Sequence, residues 1–330
     1  MAQTSRQRAA DNQNGLKSTT RPCDVFDLIC GTSTGGLIAL MLGRLEMVFP
    51  LLMRLIKTVD DCFKAYVSLA QEVFTAKSTA LTAKFDDGVL ETKIKDIIRA
   101  QALDMDAPLA HPDGKCRTFV VADMARASGN AVLMQTYDNF PSSEAFDCTI
   151  WQAARATSAA PTFFKPIEIE HIQYVDGGVG QNNPAELAIH EAHKVWPGRS
   201  IGCLVSIGTG MEDAIQLGDG AEGGKGWKRA ILRKVSPETD FEIEVAKWCL
   251  DLLTSSEKTH RDLKFRAERL GIQKRYFRFN APQGMSQIGL EEWKKIDDMV
   301  SLAKSYMLYD AVTEKDTVGK YLLYPNLASS

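Results

Sequence analysis

Two rhythms of apolar and polar residues run through this chain, and the switch from one to the other marks its elements. Short, nearly continuous apolar runs at Val25 to Cys30, Arg117 to Asp123 and Ile201 to Ile207 have the length of buried strands. Ala131 to Gln135 reads as a neighbour of the second run, and Ile167 to Val175 leads into a further strand. Between these lie segments with helical spacing. Leu37 to Leu42 begins a packed helix that ends near Gly43, and Thr58 to Ala76 and Val89 to Leu103 are amphipathic, the latter with Leu90, Ile94, Ile97 and Ile98 on one face. Ile150 to Ala160 is a helix stopped by Pro161. Asn183-Pro184 opens another that runs to about Trp196, since asparagine can cap the free N–H groups and proline suits the first helical turn. Phe241 to Leu270 and Leu290 to Met307 are long helical segments. This alternation predicts an α/β fold, a mainly parallel central sheet covered by helices on both faces.

Composition narrows the picture. The 330 residues are 45% hydrophobic and 25% charged, enough to bury a substantial core in one enlarged domain. Residues 1–22 are polar and expected to be disordered; 23–330 form the domain, with a core over 23–210 and a helical part over 211–330. The 39 basic and 42 acidic residues are interspersed, leaving a net charge of -3 and no basic footprint for nucleic acid. Seven scattered cysteines without a C-x-x-C pair or a neighbouring histidine cluster read as reduced thiols, not as metal ligands. No secretory apolar stretch opens the chain and no run approaches the roughly eighteen apolar residues of a membrane span, so a cytoplasmic protein is expected.

The candidate chemistry centres on Gly31-Thr32-Ser33-Thr34-Gly35-Gly36, set between a strand and a helix. Ser33 then sits on a sharp strand-to-helix turn, where a nucleophile is exposed and the first helical N–H groups can face a developing oxyanion. Gly31 and Gly35 would let the backbone bend and approach its neighbours. The plainer reading is a glycine turn joining two elements. A phosphate-cradling loop fits poorly, because Leu37 stands where its lysine is required. Tyr174-Val175-Asp176-Gly177-Gly178 puts a carboxylate at the end of an apolar strand. Asp176 either caps local N–H groups, as Asp-Gly pairs often do, or meets Ser33 where strand ends converge on a crevice.

Four segments, GTSTGG around Ser33, ARATSAAPTFFKP over Ala154–Pro166, DGGVGQNNP over Asp176–Pro184 and SIGTG over Ser206–Gly210, together resemble the patatin-like phospholipase family, nearest its soluble fungal-type branch. The resemblance covers residues from about Cys23 to Gly210. It implies a three-layer patatin-like fold and a serine lipid acyl hydrolase that needs no metal or organic cofactor. Ser33 would be the nucleophile and Asp176 its base, cleaving fatty-acyl esters of glycerolipids through an acyl-enzyme. Thr34 would supply an oxyanion N–H, while Gly31, Gly35, Gly177 and Gly178 shape the backbone. A Ser-Asp-His triad is the rival, with His190, His193 or His260 as third member.

Two departures qualify the resemblance. The family pattern carries a glycine-rich Asp-Gly-Gly-Gly-x-Arg-Gly loop ahead of the nucleophile, and upstream of Cys23 this sequence has only Gly15. The first strand is therefore expected to be missing, and a catalytically impaired lipid-binding module is the alternative function. Residues 47–56 form an apolar stretch that looks inserted. For reaching lipid, Lys225, Trp227, Lys228, Arg229 and Arg233 mix basic head-group contacts with an aromatic anchor and suggest peripheral membrane contact; an ordinary solvated helix face is the competing reading.

Overall fold

The structure, a computed structural model, describes residues 21–47, 58–79, 83–126, 131–138, 146–210, 256–281, 288 and 291–323. A short helix α1 (Pro22–Val25) precedes strand β1 (Leu28–Thr32), which passes through Ser33 into α2 (Thr34–Ala39) and a π-helical turn Leu40–Arg44. Helices α3 (Thr58–Val73) and α4 (Asp87–Ala100) follow, the latter capped by Asp86, whose side chain accepts from Gly88 N–H. Then come β2 (Arg117–Met124), β3 (Ala131–Gln135), α5 (Ile150–Thr157), β4 (Ile167–Ile169) and β5 (Ile172–Asp176). A single turn α6 (Gly178–Gln181) leads to α7 (Ala185–Val195), β6 (Leu204–Ile207), β7 (Tyr276–Phe279), α8 (Ile296–Ser305) and α9 (Val312–Leu323).

The expected α/β class holds: a central sheet lies between helical layers. Strand β2 is its spine, buried from Thr118 to Asp123. Val120 and Ala122 pack with Leu37, Leu40, Leu90, Ile94 and Ala153 on one side, whereas Phe119 and Val121 pack with Tyr137 and Ala188 on the other. That alternation follows from the period of two in a strand, and it explains why the run reads as apolar throughout.

Pairing direction differs from the expectation. β1 and β2 are parallel, but β2–β3, β2–β5 and β4–β5 are antiparallel; the separate pair β6–β7 is parallel. Short connections account for β2–β3 and β4–β5, because a few residues can reverse a chain but cannot carry a crossover; β2 and β5 are joined by a long path through β3, α5 and β4. Ile167 to Val175, which reads as one run, is a hairpin whose turn residues Glu170 and His171 both take positive φ, 48° and 66°. Positive φ at both positions is what the tight right-twisting hairpin turn demands.

The ladder registers fix the geometry that matters most. β3 pairs with residues 119–123 of β2, overlapping both the stretch paired with β1 (117–121) and that paired with β5 (122–124). β1 and β5 therefore share the other edge of β2 and meet there end to end. Thr32 faces Val121, and Asp176 faces Ala122, the next residue along. The C-terminal ends of two strands far apart in sequence thus abut at one point.

Candidate active site

Ser33 occupies that point. Its φ of 57° and ψ of -130° are unusual for a residue with a side chain, and the surroundings hold it there. Ser33 N–H donates to Thr157 Oγ1 at 3.0 Å, and Thr157 Oγ1 donates to the Val121 carbonyl at 2.7 Å. One hydroxyl at the end of α5 therefore ties the turn to the spine of the sheet. The turn itself is closed by Gly36 and Leu37 N–H groups donating to the Ser33 carbonyl, 2.8 and 3.1 Å.

The glycines divide by the space around them. A Cβ on Gly31 would lie 2.0 Å from the Gly35 carbonyl oxygen, and one on Gly177 would lie 2.8 Å from both the Val121 carbonyl oxygen and its Cγ1. Those two positions admit no side chain while the backbone keeps its path. Gly35 differs from the expectation that it shapes the turn: it is exposed, and a Cβ there would meet nothing within 4 Å. Gly36, which the sequence reading passed over, is the tighter position, with Thr157 Cγ2 and Oγ1 each 2.6 Å from where its Cβ would be.

Asp176 is fully buried. Its backbone N–H donates to the Ala159 carbonyl at 3.0 Å, fixing the strand end against α5. Oδ1 accepts from Gly178 N–H at 2.8 Å, so the local cap is real and uses one oxygen. Oδ2 is buried without a hydrogen bond of good geometry. Burial pushes the carboxyl up to about 7; the Ser33 hydroxyl and Gly178 N–H oppose that rise, and Asp123 adds to it. The Ser33 hydroxyl thus lies close enough to the Asp176 carboxyl to act on its ionisation. A carboxyl in this setting is a far stronger base than one in water.

A small cleft open to solvent begins at Ser33 and Thr34. Leu37, Leu69, Val73, Phe74, Leu90 and Phe164 make its walls apolar. Thr34 Oγ1 lies 3.3 Å from the Tyr66 hydroxyl, which also lines the cleft. Thr34 N–H opens α2, where a helix provides no acceptor of its own. Behind the cleft Arg155, 1% exposed, stacks over Phe164 at 5.7 Å, donates to the Lys165 carbonyl and pairs with Glu91 at 3.4 Å. The ARATSAAPTFFKP segment thus contains two residues of consequence, Arg155 and Thr157, that pattern reading did not single out. Their only signal was membership of the segment.

The triad alternative finds no support. His190 and His193 are exposed on α7, and His260 Nδ1 lies 3.0 Å from the Tyr276 hydroxyl beside β7. None of the three lines the cleft. Lys225, Trp227, Lys228, Arg229 and Arg233 lie outside the described residues, as do 48–56 of the apolar stretch; Met47 is buried in the main core. Among the described residues, no group of three or more His, Cys, Asp or Glu side chains could hold a metal ion, and no helix is long and apolar enough to cross a membrane.

A family model for patatin-like phospholipases matches residues 14–189. The chain is 29% identical over 299 residues to mouse calcium-independent phospholipase A2-gamma, covering 86% of this chain and 34% of that protein. It is 28% identical over 315 residues to patatin-like phospholipase 1 of Plasmodium falciparum (87% and 42%) and 26% identical over 296 residues to Arabidopsis thaliana phospholipase A I (70% and 21%). The chain spans less than half the length of each of these relatives.

Proposed function

Since this chain belongs to the patatin-like phospholipase family, we propose that it is a serine lipid acyl hydrolase working through Ser33 and Asp176. Family membership supports lipid ester hydrolysis in general. The finer reading rests on one juxtaposition: a serine in a strained strand-to-helix turn, at the head of an apolar cleft, stands close enough to a buried carboxyl to act on its ionisation.

The chemistry follows from that arrangement. Asp176 takes the Ser33 proton as the serine oxygen attacks the ester carbonyl, and the apolar walls hold the acyl chain. The tetrahedral oxyanion turns toward the Thr34 N–H. Collapse expels the alcohol with a proton, leaving the acyl group on Ser33. Water, deprotonated by Asp176, then releases the fatty acid. Gly31 lets the first turn of α2 cross close to β1, Gly177 lets the chain after Asp176 lie against Val121 of β2, and Gly178 N–H holds Asp176 Oδ1.

A fluorophosphonate probe and a short-chain aryl ester test this directly. Labelling at Ser33 that vanishes in Ser33→Ala and slows markedly in Asp176→Asn is the expected result. A wild-type chain that neither labels nor turns over ester would assign the cleft to lipid binding without catalysis.

A further inference from the structure

β2 carries a second buried acid. Asp123 is 1% exposed, and neither of its carboxylate oxygens has a hydrogen-bond partner among the described residues. It stands opposite Val175 on β5 and Ala131 on β3, and the residue before it, Ala122, stands opposite Asp176. Asp123 is thus the diagonal neighbour of Asp176 across the ladder. Directly opposed residues share a face and successive residues alternate, so the two carboxyl groups leave the sheet on opposite sides with only strand backbone between them.

Among the described residues, no ion pair to either one is formed. Among the charged groups on the elements packed against β2 and β5, Arg117 donates to the Pro112 carbonyl at the far end of β2, and Arg44 donates to the carbonyls of Pro108 and Leu109. Arg155 on α5 is held by Glu91 and the Lys165 carbonyl. Glu168 and His171 of the β4–β5 hairpin face each other in solvent. On α7, Glu191 is engaged by Lys194 and the Tyr137 hydroxyl, Glu186 by Arg266, and His190 and His193 are exposed. The segments β1, β3, α2 and α6 bring no charged side chain. Among the described residues, burial, the Ser33 hydroxyl and Gly178 N–H set the ionisation of Asp176, and Asp123 is the other charged group that acts on it.

We propose that Asp123 is a positioning residue that acts through Asp176: its unpartnered carboxylate, one backbone layer away, makes Asp176 a stronger base for the Ser33 proton. The inference rests on the reading of Asp176 as that base. When both acids are ionised the region holds two like charges, and moving the proton from Ser33 Oγ to Asp176 Oδ2 removes one of them. The same repulsion that makes Asp176 hard to ionise favours that transfer. Burial also pushes the Asp123 carboxyl above its ordinary range, and Asp123 adds to the rise at Asp176.

Carboxyl ¹³C NMR titration of aspartate-labelled protein tests the coupling without needing turnover, with Asp176→Asn and Asp123→Asn assigning the two signals. Asp176 is expected to titrate near pH 7 in the wild type and lower by about half a pH unit or more in Asp123→Asn. The shift is read at Asp176, the acid that ionises second. Asp123→Leu, a second neutral replacement, decides the question should Asp123→Asn fail to fold. An unmoved Asp176 midpoint in whichever variant folds overturns the proposal. Where aryl-ester hydrolysis is measurable, the acid limb of kcat/KM shifts with the Asp176 midpoint in Asp123→Asn; a purely structural Asp123 would lower activity at every pH and leave the limb in place. Absence of Ser33 labelling in the wild type would defeat the hydrolase reading while the titration still reports on the acid pair.

Discussion

The chemistry proposed for Ser33 depends on side chains that hold it in a conformation it would not choose. Thr157 supplies the acceptor for Ser33 N–H and donates its own hydroxyl hydrogen bond to the Val121 carbonyl. Thr157→Val keeps the shape and removes both bonds, stranding a buried donor and a buried acceptor. The expected cost is about 1–3 kcal/mol in denaturant unfolding, with slower fluorophosphonate labelling, and Thr157→Ser should recover most of both. Asp176 shows the opposite bargain. Its carboxyl titrates near 7 when folded and in the ordinary carboxylate range when unfolded, so the folded state binds the extra proton. Its contribution to stability is therefore full below the unfolded value and disappears as pH rises through about 7. Asp176→Asn should be more stable than the wild type at pH 8, by up to a few kcal/mol at about 1.4 kcal/mol per pH unit, and no more stable near pH 4. Thermal unfolding at the two pH values measures the difference; equal gains at both would remove ionisation as the cause. Ser33 and Asp176 were legible because glycines flank them in recognisable segments. Thr157 was not, since a threonine inside a helical stretch carries no mark of the loop it will support.

Between elements, the β1–α2 crossing is the tightest contact near the site. Gly31 lies under the first turn of α2, so Gly31→Ala drives a Cβ into backbone that cannot rotate away. A loss of at least about 1–3 kcal/mol, with disappearance of Ser33 labelling, is expected. Gly35→Ala has open space and an exposed helical position, and should leave stability unchanged or raise it by roughly 0.5–1 kcal/mol. Equal destabilisation by both substitutions would show that the crossing is looser than its geometry implies. The sequence marks these as similar glycines of one motif, and only the path of the backbone separates them. Pairing direction was illegible for a related reason. A strand buried on both faces has the same apolar run whether its neighbours are parallel or antiparallel, and β2 has both kinds. The β4–β5 hairpin was hidden because its turn uses Glu170 and His171, without the glycine or asparagine that announces such a turn.

For the whole molecule, a dry base and an apolar cleft pose a problem of delivery. An acyl chain long enough to fill the cleft is held in membranes or micelles, so turnover of such a substrate depends on how the protein meets a surface as well as on Ser33. In the reading that the basic stretch Lys225 to Lys234 around Trp227 makes that contact, Lys228, Arg229 and Arg233 are among the cations that would carry it. Each lysine or arginine near an anionic bilayer contributes about 1 kcal/mol, so replacing those three by serine should weaken binding to phosphatidylserine-containing vesicles by roughly a hundredfold at low salt. Binding to purely zwitterionic vesicles should scarcely change, because no net field acts on the cations there. Hydrolysis of a soluble aryl ester should also be untouched, since that substrate reaches the cleft by diffusion alone. The two readouts separate surface attachment from chemistry. Vesicle binding that survives the triple substitution would return the stretch to an ordinary solvated face, and a parallel loss of aryl-ester hydrolysis would mean that these residues support the fold of the site.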